Sequence, residues 1–154
     1  MEWTALTSTV AGAAIATGSA LLLDGRRSRR DRVDRDLQIR RSLYGDYLAC
    51  LSEARHTCGN VARDPELPLA TRRSTARESF GPCIGLRYQM TITAPDDVVA
   101  ASEHAFRCLR DLRDHVMEGV LTTDEVYLAG RLGYDDALTA LRACMRRDLG
   151  AAGT

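Results

Sequence analysis

The organisation of this chain is decided by residues 3–23, WTALTSTVAGAAIATGSALLL, which contain no charged side chain. At a helical rise of about 1.5 Å per residue, roughly 20 residues cover a hydrocarbon layer of about 30 Å. The charged sequence DGRRSRRDRVDRD, residues 24–36, follows at once. Because arginines mark the cytosolic end of a span, the pattern predicts a transmembrane segment over residues 1–24. The amino terminus would lie outside the cell membrane and the rest of the chain in the cytosol.

Two alternatives stay open for this segment. Its serine and threonine side chains lower its hydrophobicity, so it could instead be a buried helix of a soluble bundle. A cleaved signal peptide normally carries its positive charges before the apolar run, whereas here Glu2 precedes the run and the arginines follow it. Small residues at every fourth position predict self-association in the membrane, although alanine-rich sequence also produces such rows by chance. They are Ser8, Gly12, Ala16 and Ala20.

Residues 25–36 form a predicted arginine-rich juxtamembrane stalk. Arginines next to a bilayer attract anionic lipid headgroups, at about 1 kcal/mol per charge. The alternative is that these arginines only determine the orientation of the span. The candidate headgroup-binding residues are Arg26, Arg27, Arg29, Arg30, Arg32 and Arg35.

The chain after the stalk predicts an all-α fold, with a cytosolic helical bundle over residues 37–149 and a tail over residues 150–154. A long first helix ends before Pro65, because proline cannot continue the hydrogen-bond ladder. Its apolar stripe has helical spacing. The stripe consists of Leu37, Tyr44, Leu48, Leu51, Cys58 and Ala62.

Three further helical patterns follow. The second covers residues 69–93 and is kinked or broken at Gly81-Pro82; its predicted core residues are Phe80, Ile84, Tyr88 and Met90. The third covers residues 97–117 and the fourth runs to residue 149. Because the loops are short, neighbouring helices should be antiparallel, which predicts an up-down four-helix bundle behind the transmembrane helix. The predicted inward residues of the third helix are Val98, Ser102, Ala105, Phe106, Leu109, Leu112 and Val116, and those of the fourth are Tyr127, Tyr134, Leu138, Leu141 and Met145.

Composition narrows the class of protein. The 21 basic residues are balanced by 21 acidic ones, so the chain as a whole lacks the positive field that nucleic-acid binding needs, and no nucleic-acid partner is expected. Five cysteines are an odd number at irregular spacing. A disulfide framework usually has an even number, so the pattern favours reduced thiols that serve as small core residues.

Motifs with known chemistry are missing from the sequence. It contains no P-loop, GxSxG, HExxH or CxxC pattern, which predicts neither an enzyme nor a cofactor. His104 and Cys108 lie one turn apart and are weak candidates for metal ligands. They would need further ligands from another helix.

Two segments resemble a known group of proteins: SLYGDYLACLSEAR, residues 42–55, and ITAPDDVVAASEHAFRCLRDLRDHV, residues 92–116. They are similar to segments of small membrane-anchored helical proteins of high-G+C Gram-positive bacteria. The resemblance implies a short span, an arginine-rich stretch and then helices. That group has no assigned activity, so the resemblance implies no functional residue.

The sequence therefore predicts an interaction or assembly protein, anchored by one span, with an unidentified protein partner or a second copy of itself. One alternative is a module that binds anionic lipid through the juxtamembrane arginines. A second alternative is a metal- or redox-responsive bundle that uses His104 and Cys108. Envelope complexes, mobile-element transfer and phage defence all remain open as the biological process.

Overall fold

The computed structural model describes the backbone of residues 3–151 and the side chains of residues 32–150. Within this part all the regular secondary structure is helical, which confirms the predicted all-α class. It divides into two compact units, Met1–Gln38 and Ile39–Thr154. The helices are α1 (Trp3–Arg63), α2 (Leu69–Glu78), α3 (Gly81–Thr93), α4 (Asp96–Met117) and α5 (Glu125–Ala151).

The first helix continues through Asp24-Gly25 and ends at Arg63, directly before the predicted stop at Pro65. The carbonyl oxygen of Asp64 accepts a hydrogen bond of 2.6 Å from Nη2 of the buried Arg72. A carbonyl just beyond a helix end has no partner within the helix. Arg72 therefore satisfies this carbonyl and fixes the turn into α2.

The second arm of the bundle is the segment of residues 69–93, which folds as two helices separated at Gly81-Pro82. α2 ends at Glu78, and α3 begins at Gly81 with Pro82 in its first turn. Proline is tolerated there because the first N–H groups of a helix have no intrahelical acceptor. Phe80 and Met90 are buried, as predicted.

The buried face of α4 consists of the predicted residues. On α5 the predicted stripe is also buried, with Leu138 only partly so. Phe80 meets Phe106 edge-to-face, with ring centroids 5.8 Å apart. The guanidinium of Arg113 lies 4.7 Å from the Phe80 ring centroid and that of Arg87 lies 4.8 Å from the Phe106 centroid. These two guanidinium groups therefore stack on aromatic rings of the core between α3 and α4.

Contacts at the two ends of the bundle fix the helix directions in residues 39–154. At one end Tyr44 bonds to Asp148. At the other end the N–H of Thr122 donates to the carbonyl of Ala62. Near that same end, Nε of Arg73 donates to the carbonyl of Met117. The direction therefore alternates from α1 to α2–α3, then α4, then α5, which gives an up-down-up-down bundle with a broken second arm.

Among the residues that the structure describes, no helix has the length and apolar character that crossing a membrane requires. The side chains of the predicted span lie outside those residues, and with them the predicted packing row of Ser8, Gly12, Ala16 and Ala20.

Candidate binding surfaces

One face of α3 carries three exposed large apolar side chains, here called the α3 stripe: Ile84, Tyr88 and Ile92. They are 47%, 60% and 86% exposed. The prediction that Ile84 and Tyr88 belong to the core is therefore wrong. The helix is apolar around much of its circumference, and the bundle buries the face of Cys83 and Met90 instead. Three large apolar side chains at a four-residue spacing form a continuous ridge.

A groove of about 370 Å³ runs beside the α3 stripe, between α1 and α3. Ile39 lies on its α1 side and is 51% exposed. The groove thus extends the apolar surface from α3 onto α1. Its lining consists of Ile39, Ser42, Leu43, Asp46, Gln89, Ile92 and Thr93.

A second, polar pocket of about 200 Å³ lies between α1 and the start of α5, and we call it the arginine pocket. The loop before α5 is held against the end of α1 by the 3.1 Å hydrogen bond from Thr122 to Ala62. This backbone contact holds Thr122, which lines the pocket, next to the end of α1. Its lining consists of Arg55, His56, Gly59, Arg63, Thr122, Tyr127 and Arg131.

The arginines of this pocket are poorly neutralised. Arg131 lies 3.8 Å from Asp135, and both side chains are nearly half exposed, so this ion pair is weak. Arg63 donates to the neutral amide oxygen of Asn60 over 2.8 Å. Within residues 32–150, no carboxylate lies within 4.0 Å of the guanidinium group of Arg55 or Arg63. The pocket therefore concentrates positive charge.

The hydroxyl of Tyr127 lies inside this positive region. The side chain is 3% exposed, and a Cβ atom at Gly59 would lie 3.3 Å from its hydroxyl oxygen. Burial raises the pKa of Tyr127, while the charges of Arg131, Arg55 and Arg63 act in the opposite direction. The hydroxyl therefore lies in the same pocket as these three arginines.

The arginine pocket is not predicted from the sequence, although the sequence contains one signal for it. Arg55 and Arg63 lie on one face of α1 with Gly59 between them, and residues 54–63 contain no acidic residue. Elsewhere in the chain arginines mostly alternate with acids. The contribution of Tyr127 and Arg131 requires the packing of α5 on α1, which no local pattern specifies.

The two candidate metal ligands, His104 and Cys108, lie next to each other in the structure. Sγ of Cys108 lies 3.9 Å from Nδ1 of His104 on the exposed side of α4. Within the described part of the chain, no group of three or more histidine, cysteine, aspartate or glutamate side chains is arranged to hold a metal ion. The structure therefore adds no third ligand to this pair.

The expectation that all the thiols are reduced is wrong for one pair. Cys50 of α1 and Cys83 of α3 form a disulfide, with Cα atoms 5.7 Å apart. Irregular spacing in the sequence conceals the pair because the two residues meet only when the second arm folds back along α1. Cys58, Cys108 and Cys144 are free, and only Cys58 is fully buried.

The structure describes two of the six candidate headgroup-binding arginines, Arg32 and Arg35, and both are exposed. Exposed guanidinium groups are a requirement for headgroup binding, and the binding itself stays a prediction. The other four lie outside the described side chains: Arg26, Arg27, Arg29 and Arg30.

Comparison of the chain with protein-family models, with curated proteins and with solved structures finds no match.

Proposed function

We propose that this protein is a non-catalytic, membrane-anchored helical-bundle protein that assembles with a second copy of itself at the cytosolic face of the membrane. The observation that carries the proposal is the exposed α3 stripe of Ile84, Tyr88 and Ile92. Single exposed apolar residues are normal on a protein surface, but a contiguous apolar patch marks an interaction site. The adjoining groove on α1 enlarges this patch.

A second copy is the occupant that the charge pattern favours. α3 contains no acidic residue and one basic residue, Arg87, whose guanidinium lies over the ring of Phe106. The stripe is therefore nearly neutral and offers a charged partner little complementarity. Two copies of the same stripe can approach each other without like-charge repulsion.

The size of the stripe explains why a membrane anchor would be needed. A stable interface buries about 1,200–2,000 Å² in total, whereas even an aromatic side chain contributes only about 150–250 Å². Three side chains from each copy fall short of a stable interface by this measure. Linking the copies through the predicted membrane segment raises their effective concentration without any new contact.

Photocrosslinking in native membranes tests the proposal. We expect full-length protein with benzoylphenylalanine at Ile92 to give an adduct of twice the chain mass. Thr91 is the matched control, because it is also exposed but faces about 100° away on the same helix. An adduct of a different mass at Ile92 would show that the stripe binds another protein and not a second copy of this chain. Absence of any adduct at Ile92 would remove the assembly function.

A second candidate function, a redox-responsive bundle, is favoured by the disulfide between Cys50 and Cys83. The bond joins α1 to the first turn of α3, directly before Ile84, so its state can alter the position of the stripe. The crosslinking yield at Ile92 should then change when membranes are treated with dithiothreitol. A Cys50→Ser variant should give the same yield with and without the reductant. An unchanged wild-type yield would leave the disulfide with a purely structural role.

A further inference from the structure

We propose that the arginine pocket binds a phosphate group, presented by a small soluble phosphate ester or by a lipid headgroup. This site contacts α1 at residues 55–63, whereas the groove beside the α3 stripe contacts α1 at residues 39–46. It is independent of the assembly function, since none of its lining residues belongs to α3.

The donor chemistry of the pocket matches phosphate. Arg55 and Arg63 approach from α1 and Arg131 from α5, and arginine binds phosphate oxygens through paired, charge-assisted N–H donors. The Tyr127 hydroxyl, which lines the same pocket, is a further donor. Donors that converge from two elements suit a tetrahedral group, which accepts hydrogen bonds from several directions, better than a planar carboxylate.

The charge balance also favours a dianionic group. Three guanidinium groups share one pocket, and among residues 32–150 only that of Arg131 has a carboxylate within 4.0 Å, which is Asp135 at 3.8 Å. A phosphate monoester carries about 1.5 to 2 negative charges at neutral pH. Its binding would neutralise the positive charge of the arginines that is not balanced by carboxylates of residues 32–150.

The volume limits the ligand to a small one. Pockets for drug-sized molecules have about 300–1,000 Å³, whereas the arginine pocket has about 200 Å³. Gly59 keeps this space open, because a Cβ atom there would lie 3.3 Å from the Tyr127 hydroxyl oxygen. The phosphate group would thus enter the pocket while the remainder of a larger ligand stays outside it.

Tyrosine-ring NMR of the full-length protein tests the proposal, with labelled tyrosines and phosphatidylcholine nanodiscs. One arm adds inorganic phosphate at constant ionic strength, and the other replaces part of the lipid by phosphatidic acid without free phosphate. We expect the Tyr127 signal to shift saturably, while Tyr47, which is buried in the core and donates to the carbonyl of Ser102, serves as the internal control. A shift with inorganic phosphate identifies a soluble source, and a shift only with phosphatidic acid identifies a lipid source.

Two variants and a control make the result specific. The double variant Arg55→Gln/Arg131→Gln should lose at least tenfold in affinity, whereas Arg146→Gln, which alters an exposed arginine of α5 outside the pocket, should bind as the wild type does. Gly59→Ala retains every charge but narrows the pocket, so it should also weaken binding. No Tyr127 shift in either arm would overturn the proposal. The proposal would also be overturned if the Tyr127 signal of the double variant shifted with the same titration midpoint as that of the wild type.

Discussion

The hydroxyl of Tyr44 donates a hydrogen bond of 2.7 Å to Oδ2 of Asp148 and so joins α1 to α5. The other oxygen of this carboxylate accepts a bond of 2.8 Å from Nη1 of Arg40. The Asp148 side chain is 9% exposed, and a buried carboxylate must be hydrogen-bonded to be tolerated. Two partners from α1 therefore satisfy the one largely buried carboxylate at this end of the bundle within the described residues.

Replacing Tyr44 by phenylalanine should lower the free energy of unfolding by about 1.5–3 kcal/mol, because the Asp148 carboxylate loses a hydrogen bond without a replacement. Urea unfolding of the full chain in detergent micelles, followed by tyrosine fluorescence, measures the change. Arg146→Gln is the control, since this side chain is exposed and lies outside the α3 stripe, and its replacement should change stability by less than about 0.5 kcal/mol. Equal losses in the two variants would contradict the role of the Tyr44 bond.

Buried tyrosines should make the bundle sensitive to alkali. Burial raises the pKa of Tyr134 to about 12, and burial is also the largest cause that raises the pKa values of Tyr44, Tyr47 and Tyr127. Unfolded tyrosine loses its proton near pH 10, at about its ordinary pKa. The unfolded state then binds fewer protons than the folded state, so stability is intact below pH 10 and falls as the pH rises from 10 towards 12.

The size of this effect can be isolated with Tyr134→Phe. Each buried tyrosine contributes about 1.4 kcal/mol per pH unit to the decline, so the variant should decline more slowly by that amount between pH 10 and 12. Within residues 32–150 the buried Tyr134 hydroxyl has no hydrogen-bond partner, so its removal should not destabilise the protein at pH 7. Unfolding free energies measured at pH 7, 10 and 11 test both statements. Parallel declines in variant and wild type would refute the first.

The buried face of α4 is predictable from sequence because a 22-residue amphipathic helix specifies its own orientation. α3 is different. Its 13 residues are apolar on more than one side, so periodicity cannot tell which side the bundle covers. The prediction that Ile84 and Tyr88 are buried fails for this reason. Tertiary packing through Phe80, Cys83 and Met90 decides that question.

The binding surfaces are less predictable than the fold because each combines distant parts of the chain. Arg55 and Arg131 share a pocket only after α5 packs on α1, and Cys50 meets Cys83 only after the second arm folds back. Local patterns record which residues favour a helix and which face is apolar. They do not record which polar residues of different helices face each other.

Alkylation should distinguish the free cysteines. Burial raises the pKa of Cys58 to about 11, and since only the thiolate reacts, this thiol should be nearly unreactive at pH 8. Cys108 and Cys144 are half-buried. Iodoacetamide at pH 8 should therefore modify Cys108 and Cys144 in the folded protein but Cys58 only after denaturation, as measured by peptide mass spectrometry. Rapid modification of Cys58 in the folded state would contradict its burial.

The disulfide between Cys50 and Cys83 should stabilise the bundle. The two residues are 33 positions apart, and closing a loop of this length in the unfolded chain is worth about 3–4 kcal/mol in the chain-entropy model. Cys50→Ser should lower the unfolding free energy of the oxidised protein by about this amount. In dithiothreitol the wild type and the variant should be about equally stable, and a difference that persisted under reduction would show that the serine itself is harmful.

The state of the same cysteine pair in living cells tests the proposed orientation. Glutathione and thioredoxin keep cytosolic thiols reduced, whereas disulfides persist on the outer side of the membrane. If the bundle faces the cytosol, Cys50 and Cys83 should be thiols in growing cells and should form the bond when the cells are treated with diamide. Trapping with a polyethylene-glycol maleimide after acid quenching reports the state as a gel shift, with Cys50→Ser as the mobility standard. A fully formed disulfide in untreated cells would place the bundle outside, with the arginines after residue 24 on the outer face against the charge rule.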